Sequence, residues 1–204
     1  MKLFWDERFA QEAYLYGEAP NVFFSEVLRE RPPGKLLLPG EGEGRNAVWA
    51  ATIGWDVTAV DYSISGKAKA LKLAERRKAK LDYQIQDLAQ LNLPENTYDA
   101  IALIFVHLSA QIRAKVHNEL VKSLKPGGLL IMESFHKNQL HFDSGGPKNA
   151  EMLYDSKLIS SDFSALELNH LSETQTILSE GEWHKGEAAV VRYVGIKTVE
   201  LRTR

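Results

Sequence analysis

Short apolar runs, rather than strict alternation, mark the first two thirds of the chain. Leu36-Leu37-Leu38, Val57 to Val60 and Ala100 to Val106 have strand length and little polar interruption, the pattern of strands covered on both faces of a parallel sheet. Between them apolar residues recur every three or four positions, which predicts helices near 6 to 15, 21 to 30, 45 to 53, 65 to 80 and 109 to 124. Strands and helices alternate in this way from Lys35 to Phe135, so the fold class is α/β with a doubly wound, parallel sheet. Arg31-Pro32-Pro33-Gly34 closes the N-terminal helical part, because proline cannot continue a helix. After Phe135 the rhythm is lost: His136 to Lys157 is polar, contains Ser144-Gly145-Gly146-Pro147, and reads as a mobile loop. Glu167 to Ser179 and Ala188 to Lys197 read as two extended arms around Glu180-Gly181-Glu182-Trp183-His184-Lys185-Gly186, a long terminal hairpin. The chain is expected to be one domain over 1–204, with a helical cap (1–31), a core (35–135), a loop and helix (136–165) and a hairpin (166–204).

The run Lys35 to Asn46 is an apolar strand emptying into a glycine-rich turn and a helix start. Gly40, Gly42 and Gly44 let the backbone take positive φ and approach a ligand closely, while the helix start offers free N–H groups. Such a turn suits a nucleotide-like molecule or simply joins a strand to a helix. A G-x-G-x-x-G dinucleotide turn wants a small residue where Arg45 stands, which disfavours a nicotinamide oxidoreductase. The next strand ends in Asp61, followed by Tyr62 and Ser63. At that rim its carboxylate can accept both hydroxyls of a ribose, or it can cap the following helix. A third strand, Tyr83 to Gln86, delivers Asp87 and Leu88, for an adenine contact or a turn cap before Leu91. A fourth, Tyr98 to Phe105, leads into Val106-His107-Leu108.

With Leu124-Lys125-Pro126-Gly127-Gly128 before a fifth strand, these features resemble, in order, the class I methyltransferases that use S-adenosylmethionine. The resemblance spans nearly the whole chain. It implies a Rossmann-like seven-stranded sheet, five parallel strands closed by an antiparallel C-terminal hairpin. It also implies cofactor contacts from the glycine turn (Pro39, Gly40, Glu41, Gly42, Gly44, Asn46) and from the second (Asp61, Tyr62, Ser63), third (Asp87, Leu88) and fourth (Ile104, Phe105) strand ends. Trp5-Asp6-Glu7-Arg8-Phe9 with Tyr16-Gly17-Glu18-Ala19-Pro20-Asn21, and Glu180 to Gly186, look like a subgroup typified by tellurite-resistance methyltransferases and, more distantly, thiopurine methyltransferases. In that subgroup the Tyr16 segment lies across the cofactor, where its hydroxyl would hold the methionine carboxylate. Pro39 and Glu41 depart from the family's turn, and Pro39 removes a possible acidic contact to the methionine amine.

The family's enzymes for DNA-base amines place a polar residue and then Pro-Pro-aromatic after the fourth strand, and this chain has no such run. His107 stands there instead, as a general base facing the acceptor or as a backbone-bonded helix-start histidine; His184 at the hairpin tip is a second candidate. The implied reaction is methyl transfer to a small acceptor, a soft nucleophile such as a thiol, selenium or tellurium species that needs no base. The alternatives are an O- or N-methyltransferase of a metabolite and a noncatalytic cofactor-binding module.

Composition narrows the classes further. The 204 residues are 44% hydrophobic, enough for one full core. A net charge of -2 exerts no global pull on nucleic acid or anionic membranes. Lys67 to Lys80 carries seven basic residues and one Glu, but an expected buried stripe of Ala68, Leu71 and Ala74 makes the charges a solvated face. No apolar run approaches the roughly 20 residues of a membrane helix, and charges at Asp6, Glu7 and Arg8 are unlike a signal peptide. Zero cysteines and six unpaired histidines imply no metal. The expectation is a cytoplasmic monomer or weak homodimer without nucleic-acid or membrane partners.

Overall fold

The computed structural model describes residues 2–198; Met1 and residues 199–204 of the expected hairpin segment lie outside them. Seven strands form one sheet: β1 (Lys35–Pro39), β2 (Asp56–Asp61), β3 (Asp82–Ile85), β4 (Tyr98–Ile104), β5 (Leu124–Phe135), β6 (Leu166–Ser179) and β7 (Lys185–Lys197). Their order is β3-β2-β1-β4-β5-β7-β6. The first five pair in parallel, and β7 runs antiparallel between β5 and β6. Among the described residues six helices flank the sheet: α1 (Lys2–Phe9), α2 (Val22–Arg29), α3 (Arg45–Thr52), α4 (Ile64–Arg77), α5 (Ala110–Ser123) and α6 (Ser156–Asp162). Strand order reverses between β1 and β4, so their C-terminal ends diverge and leave the crevice where doubly wound sheets bind ligands.

The two-residue period of the strands sorts the core into two layers. Leu37, Ile101, Leu103 and Leu130 face α5 and α6 through Val116, Leu120, Ile159 and Phe163. Leu36, Leu38, Ala100 and Ile131 face Phe24 and Leu28 of α2 and Ala47 and Ala50 of α3.

Two local expectations are corrected. α1 ends at Phe9 rather than 15, and residues 10–20 are turns. The amides of Leu15 and Tyr16, which a longer helix would return to its own carbonyls, donate to the Glu43 carboxylate at 2.9 and 3.4 Å. In α4 the buried residues are Gly66, Ala70, Leu73 and Ala74, while Leu71 is exposed. Gly44, at φ +87°, sets that phase: a Cβ there would sit 2.4 Å from Ala70 Cβ, so only a small residue of α4 can face it.

The segment read as a mobile loop contains short 3-10 turns at Lys137–His141 and Ala150–Met152 and buries Leu153 and Tyr154. The Gln139 side chain ties it to β7, accepting from Ala189 N–H at 2.9 Å and donating to Ser144 Oγ at 2.9 Å. The tip of the β6–β7 hairpin folds over the N-terminal turns so closely that a Cβ on Gly181 would meet the Leu15 carbonyl at 2.3 Å. No helix among the described residues is long and apolar enough to cross a membrane.

Candidate functional site

The ends of β1 to β4 open into a cavity of about 770 Å³. Its floor is the glycine turn. Gly40 and Gly42 sit at φ +69° and +59°, conformations that admit glycine freely. Tyr83 of β3 braces the turn from behind, its hydroxyl donating to the Gly42 carbonyl at 2.6 Å. Asp61 ends β2 with a buried carboxylate that accepts from Gly42 N–H at 3.0 Å and Ser63 N–H at 2.9 Å. Burial pushes its pKa up, against the pull of those amides. One carboxylate thus locks the turn to β2 and still presents lone pairs to the cavity it lines.

Glu41 caps α3 from within the turn, one oxygen accepting from both Asn46 and Ala47 N–H at 2.8 Å. Its complete burial pushes the pKa up to about 7. A carboxyl raised in the folded state keeps its proton where the unfolded chain has lost it, so its contribution to stability is present below about pH 4.5 and is lost as pH rises through about 7. Glu41→Gln retains the accepting oxygen without the charge. The variant is therefore expected to gain about 2–3 kcal/mol of stability relative to the parent chain between pH 5 and 8, as read by urea denaturation across that range; parallel pH profiles would refute it.

A second carboxylate in the turn, Glu43, fixes the N-terminal segment and also holds Lys69 Nζ at 2.6 Å. Arg45 closes the site through a buried pair with Glu180 of the hairpin tip at 2.7 Å. Burial opposes ionisation of Glu180, but His184 and Arg45 outweigh it and hold the carboxyl at about 2. Asn21 joins this group to the sheet, donating to Glu180 at 2.9 Å and to Glu133 of β5 at 2.7 Å. Glu133 also pairs with Arg192. Arg45 Nη1 is left buried, with no partner among the described residues, in a side chain that lines the cavity.

The far wall is aromatic. Phe105 takes φ +54°, a strained value for a residue with Cβ, while its N–H donates to the Glu133 carbonyl at 2.7 Å. Its ring lies 4.5 Å from the His184 ring and 4.6 Å from Phe135. His107 Nδ1 is 2.8 Å from the Met152 carbonyl. A carbonyl only accepts, so Nδ1 carries the proton and Nε2 is a bare acceptor. That Nε2 is buried without a partner among the described residues. Burial drives the His107 pKa down to about 4, leaving a neutral ring at neutral pH.

Of the residues singled out from sequence, Tyr16, Gly40, Glu41, Gly42, Asn46, Asp61, Tyr62, Asp87, Leu88, Ile104, Phe105 and His107 line this cavity. Three do not. Pro39 closes β1, Gly44 packs against Ala70, and the Ser63 hydroxyl caps α4 at Gly66 while donating to Asp6. Asp87 also acts as the turn cap, accepting from Ala89 N–H at 2.9 Å. Sequence reasoning did not find Glu43, Arg45 as a cavity residue, or Glu180. Their charges sit in ordinary surface-like runs, and the partners that bury them lie far along the chain. No cluster of three metal-ligating side chains occurs among the described residues.

Residues 37–132 match the family described as a methyltransferase domain. The chain is 30% identical over 104 residues to the demethylmenaquinone methyltransferase of Renibacterium salmoninarum, covering 50% of this chain and 42% of that protein. It thus spans less than half the length of the curated relatives it matches first, 42% and 37%. Among solved structures, the N-methyltransferase NodS of Bradyrhizobium japonicum in complex with S-adenosyl-l-homocysteine superposes with TM-score 0.74 at 16% identity, over 96% of this chain and 97% of NodS. TehB of Haemophilus influenzae gives 0.73 at 16% identity, over 97% and 67%. At that identity the likeness is one of fold.

Proposed function

We propose that this chain, whose residues 37–132 carry the domain of the class I, S-adenosylmethionine-dependent methyltransferases, moves a methyl group from that cofactor to a small acceptor with a soft nucleophile, a thiol, selenium or tellurium species. The cavity's unpaired groups fit the cofactor. Arg45, paired with Glu180 through Nη2, keeps a buried Nη1 donor for the methionine carboxylate, and the Tyr16 side chain lines the same cavity. Asp61 offers acceptor lone pairs to a ribose diol, and Leu88 an apolar surface to adenine. When bound, the cofactor supplies an already electrophilic methyl on a sulfonium. The protein's part is to align the nucleophile and exclude water, and orientation alone can contribute roughly 7 to 11 kcal/mol.

One observation carries the soft-acceptor reading. His107 and His184 are the titratable groups against the aromatic wall; burial lowers the pKa of both, that of His107 to about 4, and His107 Nδ1 has only the Met152 carbonyl, whereas His184 Nδ1 faces the Glu180 carboxylate at 3.4 Å. Histidines lowered in this way are weak bases for an alcohol or an ammonium at neutral pH, whereas a selenol ionises unaided and a thiol, with a reference pKa of about 8.5, does so in part. Nε2 of His107 then only accepts a hydrogen bond. That same bare nitrogen favours the second reading, an O- or N-methyltransferase of a metabolite in which it does take the proton. His107→Ala distinguishes them: methylation of a thiol is expected to stay within about threefold of the parent rate, whereas a general base would cost roughly 10² to 10⁴. Calorimetry with S-adenosylmethionine, S-adenosylhomocysteine and NAD tests the parent proposal. Saturable binding of the first two without NAD supports it, and binding of NAD alone overturns it.

A further inference from the structure

Arg8 is the least explained charge at the site. Its guanidinium lies against three aromatic faces, with Phe4 at 4.5 Å, Trp5 at 5.2 Å and Trp183 of the hairpin tip at 4.3 Å. None of the ion pairs among the described residues includes it. Stacking on ring faces holds a guanidinium in one plane and leaves its N–H edge available for a planar anion.

Arg8 thus has the Tyr16 hydroxyl as a neighbour but no anion among the described residues. A second cavity of about 270 Å³ adjoins the first, and Arg8, Tyr16, Gly146 and His184 line both. The glycine turn, Asp61 and Leu88 line only the first. Arg8 therefore stands at the junction of the two cavities, with Tyr16, the loop and the hairpin tip. The loop is pressed onto the aromatic wall at this junction: a Cβ on Gly145 would meet His184 Cδ2 at 2.8 Å, and one on Gly146 would meet Phe135 Cδ2 at 2.7 Å. The outer cavity adds Lys148 and Lys185 against Asp143 and Glu182, and Lys148 is already paired with Asp143 at 3.0 Å.

Resting on the methyltransferase reading above, we infer that the acceptor carries an anionic group, a carboxylate or a similar oxyanion, which Arg8 binds at the junction of the two cavities while the nucleophile and its apolar body lie along Phe105 and Phe135. Arg8 is then a specificity residue for the acceptor and not part of the cofactor site.

The test is calorimetric and needs no turnover. The protein saturated with S-adenosylhomocysteine is titrated with 6-mercaptohexanoate and with 6-mercaptohexan-1-ol, which differ only in the anionic end. The acid is expected to bind at least tenfold more tightly. Arg8→Gln should abolish that preference with unchanged affinity for S-adenosylhomocysteine, and Arg8→Lys should keep part of it. Equal or absent binding of the two thiols, or a preference that survives in Arg8→Gln, overturns the inference. So does an Arg8→Gln variant that loses affinity for S-adenosylhomocysteine but not for 5′-methylthioadenosine, which lacks the amino-acid tail, since that moves Arg8 to the cofactor's own carboxylate. A parent chain that fails to bind S-adenosylhomocysteine at all is a separate result, seen in the first titration, and it removes the methyltransferase reading instead.

Discussion

Asp61→Ala is expected to weaken binding of S-adenosylmethionine at least tenfold, about 1.4 kcal/mol, and to do so for two reasons that a control separates. The carboxylate offers charge-assisted acceptors to a ribose diol, each such hydrogen bond being worth roughly 1.5–3 kcal/mol. It also holds the Gly42 and Ser63 amides, so its removal frees the floor of the site. Asp61→Asn keeps one accepting oxygen and the volume while losing the charge. If the ribose contact matters, Asn should recover only part of the affinity, and only part of the stability lost in Ala, because its NH2 group faces one of the two backbone N–H groups that Asp61 holds. Isothermal calorimetry with the cofactor and with adenine alone reads the first quantity, because adenine lacks the diol and should be nearly indifferent to the change. An affinity for S-adenosylmethionine unchanged in Asp61→Ala would remove the assignment.

The largest effect on stability is expected from Glu180→Ala. Glu180 and Arg45 have side chains only 10% and 8% exposed. Breaking a buried pair from one side leaves the other charge uncompensated, which typically costs about 3–5 kcal/mol. For a chain near 200 residues, each kcal/mol shifts the melting temperature by roughly 2–4 °C, so a fall of about 6–20 °C is expected by calorimetry without ligand. The loss also has a pH signature. A carboxyl held down at about 2 when folded contributes fully above about pH 4.5, and that contribution fades as pH falls through 2. The melting curves of parent and variant should therefore converge in acid. The double variant Arg45→Met with Glu180→Leu, which buries no charge, should recover much of the loss. A Glu180→Ala chain melting within 2 °C of the parent at neutral pH would show that the pair is not what holds the tip.

What the sequence made legible was whatever depends on neighbours. β1 to β5 and the glycine turn were readable because apolar runs and glycines act over a few residues. Even so, Gly44 and Ser63 sit at the ends of helices and serve them rather than the cavity. The phase of α4 was misjudged because both sets of small and apolar residues have helical spacing, and only the approach of Gly44 to Ala70 chooses between them. Helix α1 was overextended because nothing local announces that the Leu15 amide belongs to Glu43, 28 positions away. The hairpin arms were legible from their extended pattern, but the bonds of the tip to Arg45 and Asn21 span 135 and 159 positions, and no periodicity carries that information. His107 was found by place, whereas its protonation state depends on the Met152 carbonyl in a segment that had no pattern to read.

The separation between Asn21 and Glu180 has a consequence in time as well as in space. A ribosome adding about 5–20 residues per second releases Asn21, with its bonding partners still to come, on the order of ten seconds before Glu180 exists. The parallel core between β1 and β5 can form in that interval, and Glu43 can already hold the Leu15 and Tyr16 amides, but the bonds of Glu180 to Asn21 and Arg45 wait for the last hairpin. The growing chain therefore passes through a stage in which the sheet is built and the Arg45 guanidinium has no Glu180 to pair with. Completion of the Arg45–Glu180–Asn21 group is thus a late event of synthesis.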